Sequence, residues 1–295
     1  MTAASGAPKP RGEMVDIGGR RLRMVCAGPE AASPAVILES GAFGIAADWA
    51  VVQDRLAALG MRSCAYDRAG MGFSDPAPGP RDGIAAAEDL EKLLAAAHVP
   101  APYILVGHSM AGLRVRLFAV RHPDEVAGVV LVDATTPEAT QSETAQGFIR
   151  PFVVISRLAG LGASIGLLKP FEFSGDTIGL PPAAAAEKRW AFGDGRHNRT
   201  SAAEVAEWMT IAAQAHAAGP LDPSVPVAVI TAGQKPTAWK AWEERPAQEA
   251  RRGYYKNVPG AAHATLLGPK FADEIVKGVV FVRDAAAEAA RPPTS

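Results

Sequence analysis

The sequence predicts an α/β domain, in which helices flank a mostly parallel sheet and a helical cap is inserted between two strands. Short apolar runs alternate with longer amphipathic runs along most of the 295 residues, as in βαβ units. The alternation stops over residues 137–222, which carry helical patterns and no convincing strand. Because connections within compact α/β domains are usually short, we expect 137–222 to form the cap, and 1–136 together with 223–295 to form the core.

Eight segments have the pattern of strands. The first two should form a hairpin, since residues 14–17 and 20–27 flank Gly18-Gly19, a tight-turn signal. Several of the others are continuous apolar runs, which indicates strands buried on both faces. These other strands are predicted at residues 35–39, 62–67, 103–107, 127–133, 225–233 and 252–258. Helices of the core are predicted at residues 48–59, 84–97, 113–121 and 271–290.

The predicted cap is rich in apolar residues. Residues 148–162 are the most apolar part, and residues 201–218 have the pattern of a single helix. Ser201 and Glu204 have the spacing of a capping box that would open this helix. We therefore expect the cap to supply an apolar wall to any pocket between itself and the sheet.

Composition and charge exclude several classes of protein. Apolar residues make up 48% and charged residues 21% of the chain, which is ordinary for a globular domain. The 30 Lys and Arg residues nearly balance the 31 Asp and Glu residues, giving a net charge of −1. Binding to nucleic acid would require a basic stripe, which this balance of charges does not offer, so nucleic acid is not expected as a partner. The overall charge also gives no reason to expect an anionic membrane surface as a partner.

The spacing of the two cysteines and the lack of recognisable targeting signals predict a cytoplasmic protein. Cys26 and Cys64 lie in separate strand patterns without metal-ligand spacing, so we expect free, buried thiols. The first residues lack the apolar region of a secretory signal. No run of about 18 apolar residues is present, so no membrane span is expected.

The segment Gly107-His108-Ser109-Met110-Ala111-Gly112 lies where a predicted strand turns into a predicted helix. A sharp strand-to-helix turn lifts its middle residue, Ser109, out above the sheet and onto the helix N-terminus, where a developing oxyanion is stabilised. The usual pattern is G-x-S-x-G, and this chain has Ala111 at the last position. Since the requirement there is for a small side chain, Ser109 is predicted to be a nucleophile.

At this point the sequence resembles the α/β-hydrolase superfamily, in its branch with a separate helical cap. The resemblance rests on LESGAFG (38–44), YDRAGMGFSD (66–75), VGHSMAGL (106–113), GVVLVDATTPE (128–138) and PGAAHATLL (259–267). It implies an eight-stranded, mostly parallel sheet with strand order 1-2-4-3-5-6-7-8. It also implies a nucleophile, an acid and a histidine, in that chain order.

The resemblance places the catalytic base on the loop after the last strand, where His263 follows Gly260-Ala261-Ala262. Small neighbours leave an imidazole free to approach the serine, and imidazole exchanges a proton readily near neutral pH. His108, next to Ser109, is expected to brace the turn through hydrogen bonds. The charged residues of the 67–75 loop are expected to hold that loop near the site.

The acid has two candidate positions. The common family position, in the loop after residues 225–233, contains no Asp. Asp133 ends the preceding strand at the same sheet edge as Ser109, and some branches of the family place the acid there. Glu243 and Glu244 lie further along the chain and could reach back. We expect Asp133 to be the acid, with Glu243 and Glu244 as the alternatives.

The oxyanion hole requires two backbone N–H donors. One is expected from Met110, directly after the nucleophile. The other is expected from Ala42 or, alternatively, Phe43, in the loop after residues 35–39. Family members often have a histidine where this chain has Ser40, but the backbone forms the hole, so the change does not threaten it.

Together these residues predict a serine hydrolase that cleaves a carboxylic ester of a small, largely apolar substrate through an acyl-enzyme. Lactones, thioesters and carbon–carbon bonds of diketones are alternatives for the same residues. A hydrolase-like receptor with little turnover is the alternative of a different class. Epoxide hydrolases and dehalogenases use an aspartate nucleophile where this chain has Ser109. No phosphate loop or metal-ligand spacing is present, so no cofactor or metal is expected.

Overall fold

The computed structural model describes residues 6–234 and 237–290 and contains one eight-stranded sheet of order β1-β2-β4-β3-β5-β6-β7-β8. The strands are β1 Glu13–Asp16, β2 Arg21–Ala27, β3 Ala35–Glu39, β4 Ser63–Tyr66, β5 Tyr103–His108, β6 Val126–Val132, β7 Val227–Ala232 and β8 Gly253–Val258. The β1–β2 and β2–β4 pairs are antiparallel, and the other pairs are parallel. The predicted fold class is therefore confirmed.

Helices cover both faces of the sheet. The core helices are α1 Ala50–Ala58, α2 Gly83–Ala96, α3 Ala111–Arg121, α9 Thr237–Glu249 and α10 Ala272–Ala289. Side chains of β3 alternate between two cores, with Val36 and Leu38 packing with α1 and α10, and Ile37 packing with α2 and α3. Because both faces are covered, β3, β5 and β7 are buried along their whole length.

Five helices lie between β6 and β7, where the sequence predicts the cap. They are α4 Pro137–Thr140, α5 Glu143–Ser164, α6 Pro182–Gly193, α7 Gly195–Ala206 and α8 Trp208–Ala217. This helical insert packs on the core chiefly through α8, which contacts α3 and α2. Among the helices of the described ranges, none combines the length and the apolarity that crossing a bilayer requires.

The predicted single helix over residues 201–218 is wrong, because two helices occupy that region. The first, α7, begins six residues before Ser201 and is capped by Asp194, whose carboxylate accepts a hydrogen bond from the His197 N–H at 2.7 Å. The Ser201 hydroxyl donates instead to the His197 carbonyl at 2.8 Å. Glu204 has a tertiary partner, described below, so the capping-box spacing was coincidental.

The prediction of free thiols is also wrong, because Cys26 and Cys64 form a disulfide. The antiparallel register of β2 and β4 places the two residues directly opposite each other. That register is not visible in the sequence, where the two cysteines are 38 residues apart. Disulfides persist mainly in oxidising compartments. The cytoplasmic location therefore stays a prediction and loses the support of the cysteines.

Candidate active site

Ser109 occupies the turn between β5 and α3 with a left-handed backbone, φ +58°. Its N–H donates to the Val132 carbonyl at 3.0 Å, and its carbonyl accepts from the N–H groups of Gly112 at 3.0 Å and Thr135 at 2.9 Å. A left-handed conformation of a non-glycine residue costs on the order of 1–3 kcal/mol and persists only where the surroundings impose it. These three hydrogen bonds hold the serine at the carboxyl edge of the sheet, where it is half-buried.

Small residues make this turn possible. A Cβ at Gly107 would lie 2.8 Å from Cγ2 of Val115, and one at Gly112 would lie 2.7 Å from Cβ of Ala134. Ala111, where the usual pattern has glycine, is accommodated and buried. A Cβ at Gly41 would lie 2.8 Å from Cβ of Ser109. The loop after β3 therefore passes directly against the serine.

Asp133 and His263 form a hydrogen bond between Oδ2 and Nδ1 at 2.6 Å. Asp133 follows β6 with a left-handed backbone, φ +45°, and its N–H donates to the Ile230 carbonyl at 2.7 Å. Its other carboxylate oxygen accepts from the Ala232 N–H at 2.8 Å. The Asp133 side chain is 4% exposed and the His263 side chain 52% exposed. A fixed, buried carboxylate thus orients an imidazole that stays accessible at the rim.

His108 connects His263 to the turn. Its Nε2 lies 3.1 Å from the His263 carbonyl oxygen, and the two rings are 4.4 Å apart. Burial, followed by the proximity of His263, lowers the pKa of His108 to about 3. His108 is therefore neutral at physiological pH, and since a carbonyl can only accept, its Nε2 carries the proton. It braces the loop that carries His263.

No hydrogen bond joins the Ser109 hydroxyl to His263 within the part of the chain that the structure describes. The imidazole instead packs on His108, the residue that directly precedes the serine. In unliganded sites catalytic hydrogen bonds are often long and tighten when substrate binds. Proton transfer between the two residues would require the exposed His263 ring to move to within hydrogen-bond distance of the Ser109 hydroxyl.

The loop after β3, which carries Ala42 and Phe43, is fixed from beneath by two arginines. Arg68 donates to the carbonyl oxygens of Ser40 at 2.6 Å and Gly41 at 3.0 Å. Arg114 donates to the Ser40 carbonyl at 2.9 Å. These contacts hold the carbonyl groups that precede Ala42.

Two carboxylates balance these arginines, and one of them belongs to the insert. Glu204 of α7 accepts from Nε and Nη2 of Arg68 at 2.9 and 2.8 Å, and Glu39 accepts from Arg68 at 2.9 Å and from Arg114 at 3.0 Å. All four side chains are buried. Burial acts to raise the pKa of Glu204, but the Arg68 guanidinium outweighs it and lowers that pKa below its usual range. Arg114, Glu39 and Glu204 were missed by sequence reasoning, because they lie in ordinary helix and strand patterns.

The alternative acids lie elsewhere. Glu243 and Glu244 are on α9, where Glu243 is buried and Glu244 accepts from Gln248 at 3.3 Å. The side-chain hydrogen bond of His263 goes to Asp133. Within the described residues, no group of three or more His, Cys, Asp or Glu side chains is arranged to hold a metal ion.

Aromatic side chains of the insert pack in one apolar cluster with residues from the two loops that meet at Ser109. The Phe152 ring meets those of Phe43 and Trp208 edge to face, with centroids 6.4 and 5.9 Å apart. Met110 lies in the same apolar cluster, with Ala42 packed against it. The two residues expected to form the oxyanion hole therefore border an apolar, aromatic wall.

Comparison with known proteins identifies the family to which the chain is similar. Residues 34–270 match the family model described as alpha/beta hydrolase fold. An "AB hydrolase superfamily protein" of Gibberella zeae is 34% identical over 147 residues, which are 48% of this chain and 44% of that protein. A "Probable transporter efuK" of Hormonema carpetanum is 37% identical over 129 residues, which are 42% of this chain and 18% of that protein. The chain thus spans less than half the length of these curated relatives.

Among solved structures, the epoxide hydrolase CorEH superposes with a TM-score of 0.71 at 17% identity, covering 92% of this chain and 98% of that one. At this identity the likeness shows the fold alone. The family match covers most of the chain and contains Ser109, Asp133 and His263. The chain belongs to the alpha/beta hydrolase fold family.

Proposed function

We propose that this protein is a serine hydrolase that cleaves carboxylic esters of small, largely apolar substrates. The observation that carries the proposal is the 2.6 Å hydrogen bond from Asp133 to His263, formed beside a serine held in a left-handed turn. A nucleophile, a base and a group that orients the base are the three parts that acyl transfer by serine requires. Each comes from a different loop at one edge of the sheet.

In the proposed reaction the Ser109 hydroxyl attacks the ester carbonyl and His263 accepts its proton. Nε2 takes the proton, because Nδ1 is engaged with Asp133. The N–H groups of Ala42 and Met110 stabilise the negative charge on the carbonyl oxygen. His263 then protonates the departing alcohol. A water molecule, deprotonated by His263, attacks the acyl-enzyme and releases the acid and the serine.

The choice of an ester rests on the nucleophile and on the wall of the site. Attack by serine on a saturated carbon, as in epoxide or haloalkane opening, would leave an ether that water does not cleave under these conditions. Attack on a carbonyl leaves an ester that water does cleave. Phe43, Phe152 and Trp208 favour apolar groups flanking that carbonyl. Lactones and thioesters have the same reactive carbonyl, as do diketones, and are alternative substrates.

The test uses p-nitrophenyl esters from acetate to octanoate with the wild type and Ser109→Ala. We expect the wild type to hydrolyse them, and Ser109→Ala to lose at least about 10³-fold in kcat. A fluorophosphonate probe should label the wild type and not the variant. Inertness of the wild type at every chain length, with no labelling, would contradict the proposal and favour a receptor with little turnover.

A further inference from the structure

Most of the exposed hydrophobic surface is concentrated in one part of the insert. Nine of the twelve large hydrophobic side chains that stand exposed in the described residues fall between residues 148 and 173. We call these side chains the outer face, and its main members are Phe148, Ile155, Leu158, Leu161, Ile165 and Phe173. Soluble monomers rarely expose a contiguous apolar patch of this kind without using it.

The outer face consists of the solvent side of α5, which ends at Ser164, and of the segment that follows it. On the inner side of α5, Ile149, Gly160 and Ala163 are buried, and a Cβ at Gly160 would lie 3.3 Å from Cα of Arg199 on α7. The opposite side carries Phe148, Ile155 and Leu158, of which Leu158 is 62% exposed. A helix that carries large apolar side chains on its solvent side as well as on its buried side is normally covered on both.

The exposed charges of this segment are mostly positive, since Glu143 and Glu172 stand at its two ends and the residues between them carry only positive charge. Residues 144–171 contain Arg150, Arg157 and Lys169, all exposed, and no Asp or Glu. The chain as a whole has a net charge of −1, so this local excess of positive charge is not visible in the net charge. Arg199 of the neighbouring α7 adds another exposed guanidinium, which donates to the Ser164 hydroxyl at 2.6 Å. Apolar side chains flanked by cations are the pattern of a surface that binds anionic lipid.

We propose that the outer face binds the surface of an anionic phospholipid bilayer, with α5 lying in the plane of the interface. Phe148, Leu158 and Ile165 enter the acyl-chain boundary, while Arg150 and Arg157 contact the lipid phosphates. The overall charge gave no reason to expect an anionic membrane surface, and the proposal rests instead on this local pattern of charged and apolar residues.

A second copy of the chain fits the outer face less well. A two-fold dimer would place the same patch of each copy against the other. The exposed cations Arg150, Arg157 and Lys169 of both copies would then be brought close together, with only Glu143 and Glu172 of this segment to offset them. An anionic bilayer neutralises these same cations while it covers the apolar side chains.

The outer face is linked to the candidate site by aromatic rings. Phe148 stacks on Phe152 with centroids 5.5 Å apart, and Phe152 meets Phe43, which follows Ala42. A row of packed rings thus connects the exposed helix to the loop beside Ser109. Transfer of a lipid-dissolved ester from the bilayer to Ser109 rests on the proposed function, whereas binding to the bilayer does not.

The experiment is co-sedimentation of the full chain with vesicles of phosphatidylcholine alone or mixed with phosphatidylglycerol. We expect binding to rise with the phosphatidylglycerol content and to fall with added NaCl. Leu158→Ser with Leu161→Ser should weaken binding by at least about a hundredfold, the factor that full burial of two leucine side chains corresponds to. Arg150→Gln with Arg157→Gln should weaken binding to the anionic vesicles by about thirtyfold, the factor expected for two cations near an anionic surface. The matched controls are Leu59→Ser, at a leucine 54% exposed beyond α1, and Lys256→Gln on β8.

Equal binding to both kinds of vesicle, or equal loss in the Leu59 and Leu158 variants, would overturn the proposal. A stable dimer in light scattering that Leu158→Ser converts to monomers would overturn it too, and would assign the outer face to a second copy. Ser109→Ala separates the two proposals, since it should bind vesicles like the wild type. Retained vesicle binding with an inert wild-type enzyme would refute the proposed function alone.

Discussion

The sheet edge that carries Ser109 and the insert that packs on it differ in how far their side chains find partners within the chain. At the edge, buried polar groups such as the Asp133 carboxylate are satisfied by short hydrogen bonds from loops that follow neighbouring strands. In the insert, α5 leaves Phe148 and Leu158 uncovered and its cations without neighbouring acids in sequence. The buried Asp133 carboxylate of the edge is satisfied within the chain, whereas we have proposed a bilayer to cover the apolar surface of the insert.

This difference indicates how the two regions divide the work. Reaction chemistry depends on positions fixed to within about 0.5 Å, which rigid strands and their loops provide. Choice of substrate and of location depends on surface shape and apolarity, which a helical insert can vary without disturbing the sheet. One contact between the regions that reaches the candidate site is the buried pair of Arg68 and Glu204.

The largest effect, on kcat, is expected from a substitution at the sheet edge. Asp133→Asn keeps the size of the side chain but removes the charge that orients His263 and stabilises its protonated form. We expect kcat for an ester that the wild type cleaves to fall by about 10³–10⁴-fold, the range that loss of an orienting acid produces. Steady-state kinetics, with thermal unfolding as a check on folding, measure this.

The matched controls are Glu243→Gln and Glu244→Gln. Neither is the hydrogen-bond partner of His263, so each should keep kcat within about threefold of the wild type. A collapse of activity in one of these, with full activity in Asp133→Asn, would show that a glutamate of α9 is the acid.

The next effect tests the contact between the two regions. Glu204→Gln leaves Arg68 and Arg114 buried with one carboxylate, Glu39, instead of two. Breaking a buried ion pair from one side costs about 3–5 kcal/mol. We expect a loss of that order in urea unfolding, and about a tenfold loss in kcat with little change in KM, because Arg68 also holds the loop of Ala42.

The control is Glu207→Gln, just beyond α7, which should leave both stability and kcat near the wild type. Glu204→Asp should restore part of the stability, since it returns the charge. If Glu204→Gln lowers stability but leaves kcat unchanged, the insert does not position the loop.

The sheet and the turn at Ser109 were predictable because their signals are local. A buried strand, a small-residue turn and a helix follow one another within residues 103–121, and Asp133 ends the next strand. The parallel order then brings Ser109 and Asp133 to one edge without further information. The roles assigned to these residues remain predictions until kinetics test them.

The long-range contacts were not predictable, because nothing local indicates them. Glu204 and Arg68 are 136 residues apart and each lies in an unremarkable pattern. Ser201 and Glu204 even matched the spacing of a helix start that the structure places at Asp194. Side-chain pairing between distant elements depends on how the insert settles on the core, which periodicity does not specify.

The next effect is expected from removal of the disulfide that joins β2 and β4. Cys26→Ala with Cys64→Ala removes a link that closes 38 residues of chain and restricts the unfolded state. We expect a loss of about 2–4 kcal/mol in urea unfolding, the usual range for one disulfide. The ester kcat should stay within about twofold, since β2 and β4 lie outside the proposed triad. Reduction of the wild type should reproduce the loss, and equal stability of both forms would contradict it.

The smallest effect compares one buried histidine in each region. Burial is the main cause that lowers the pKa of both His108 and His197 to about 3. The unfolded chain, with histidines near pH 6.5, therefore binds more protons than the folded chain below that pH. Stability is full above about pH 6.5 and is lost as the pH falls from there towards 3, by about 2 kcal/mol for each histidine at pH 5.

Urea unfolding at pH 7 and pH 5 measures this loss for the wild type and for His197→Gln. His197 accepts the Gly72 N–H at Nδ1, so the neutral ring is the form that the insert requires. The variant should be less stable at pH 7 but should lose about half as much on acidification, because only His108 then contributes. The exposed His216 provides the control, since His216→Gln should leave the acid-induced loss unchanged. If the wild type and His197→Gln lost the same free energy of unfolding on acidification, the His197 ring would be open to water. The insert would then differ from the sheet edge in its interior as well as on its surface.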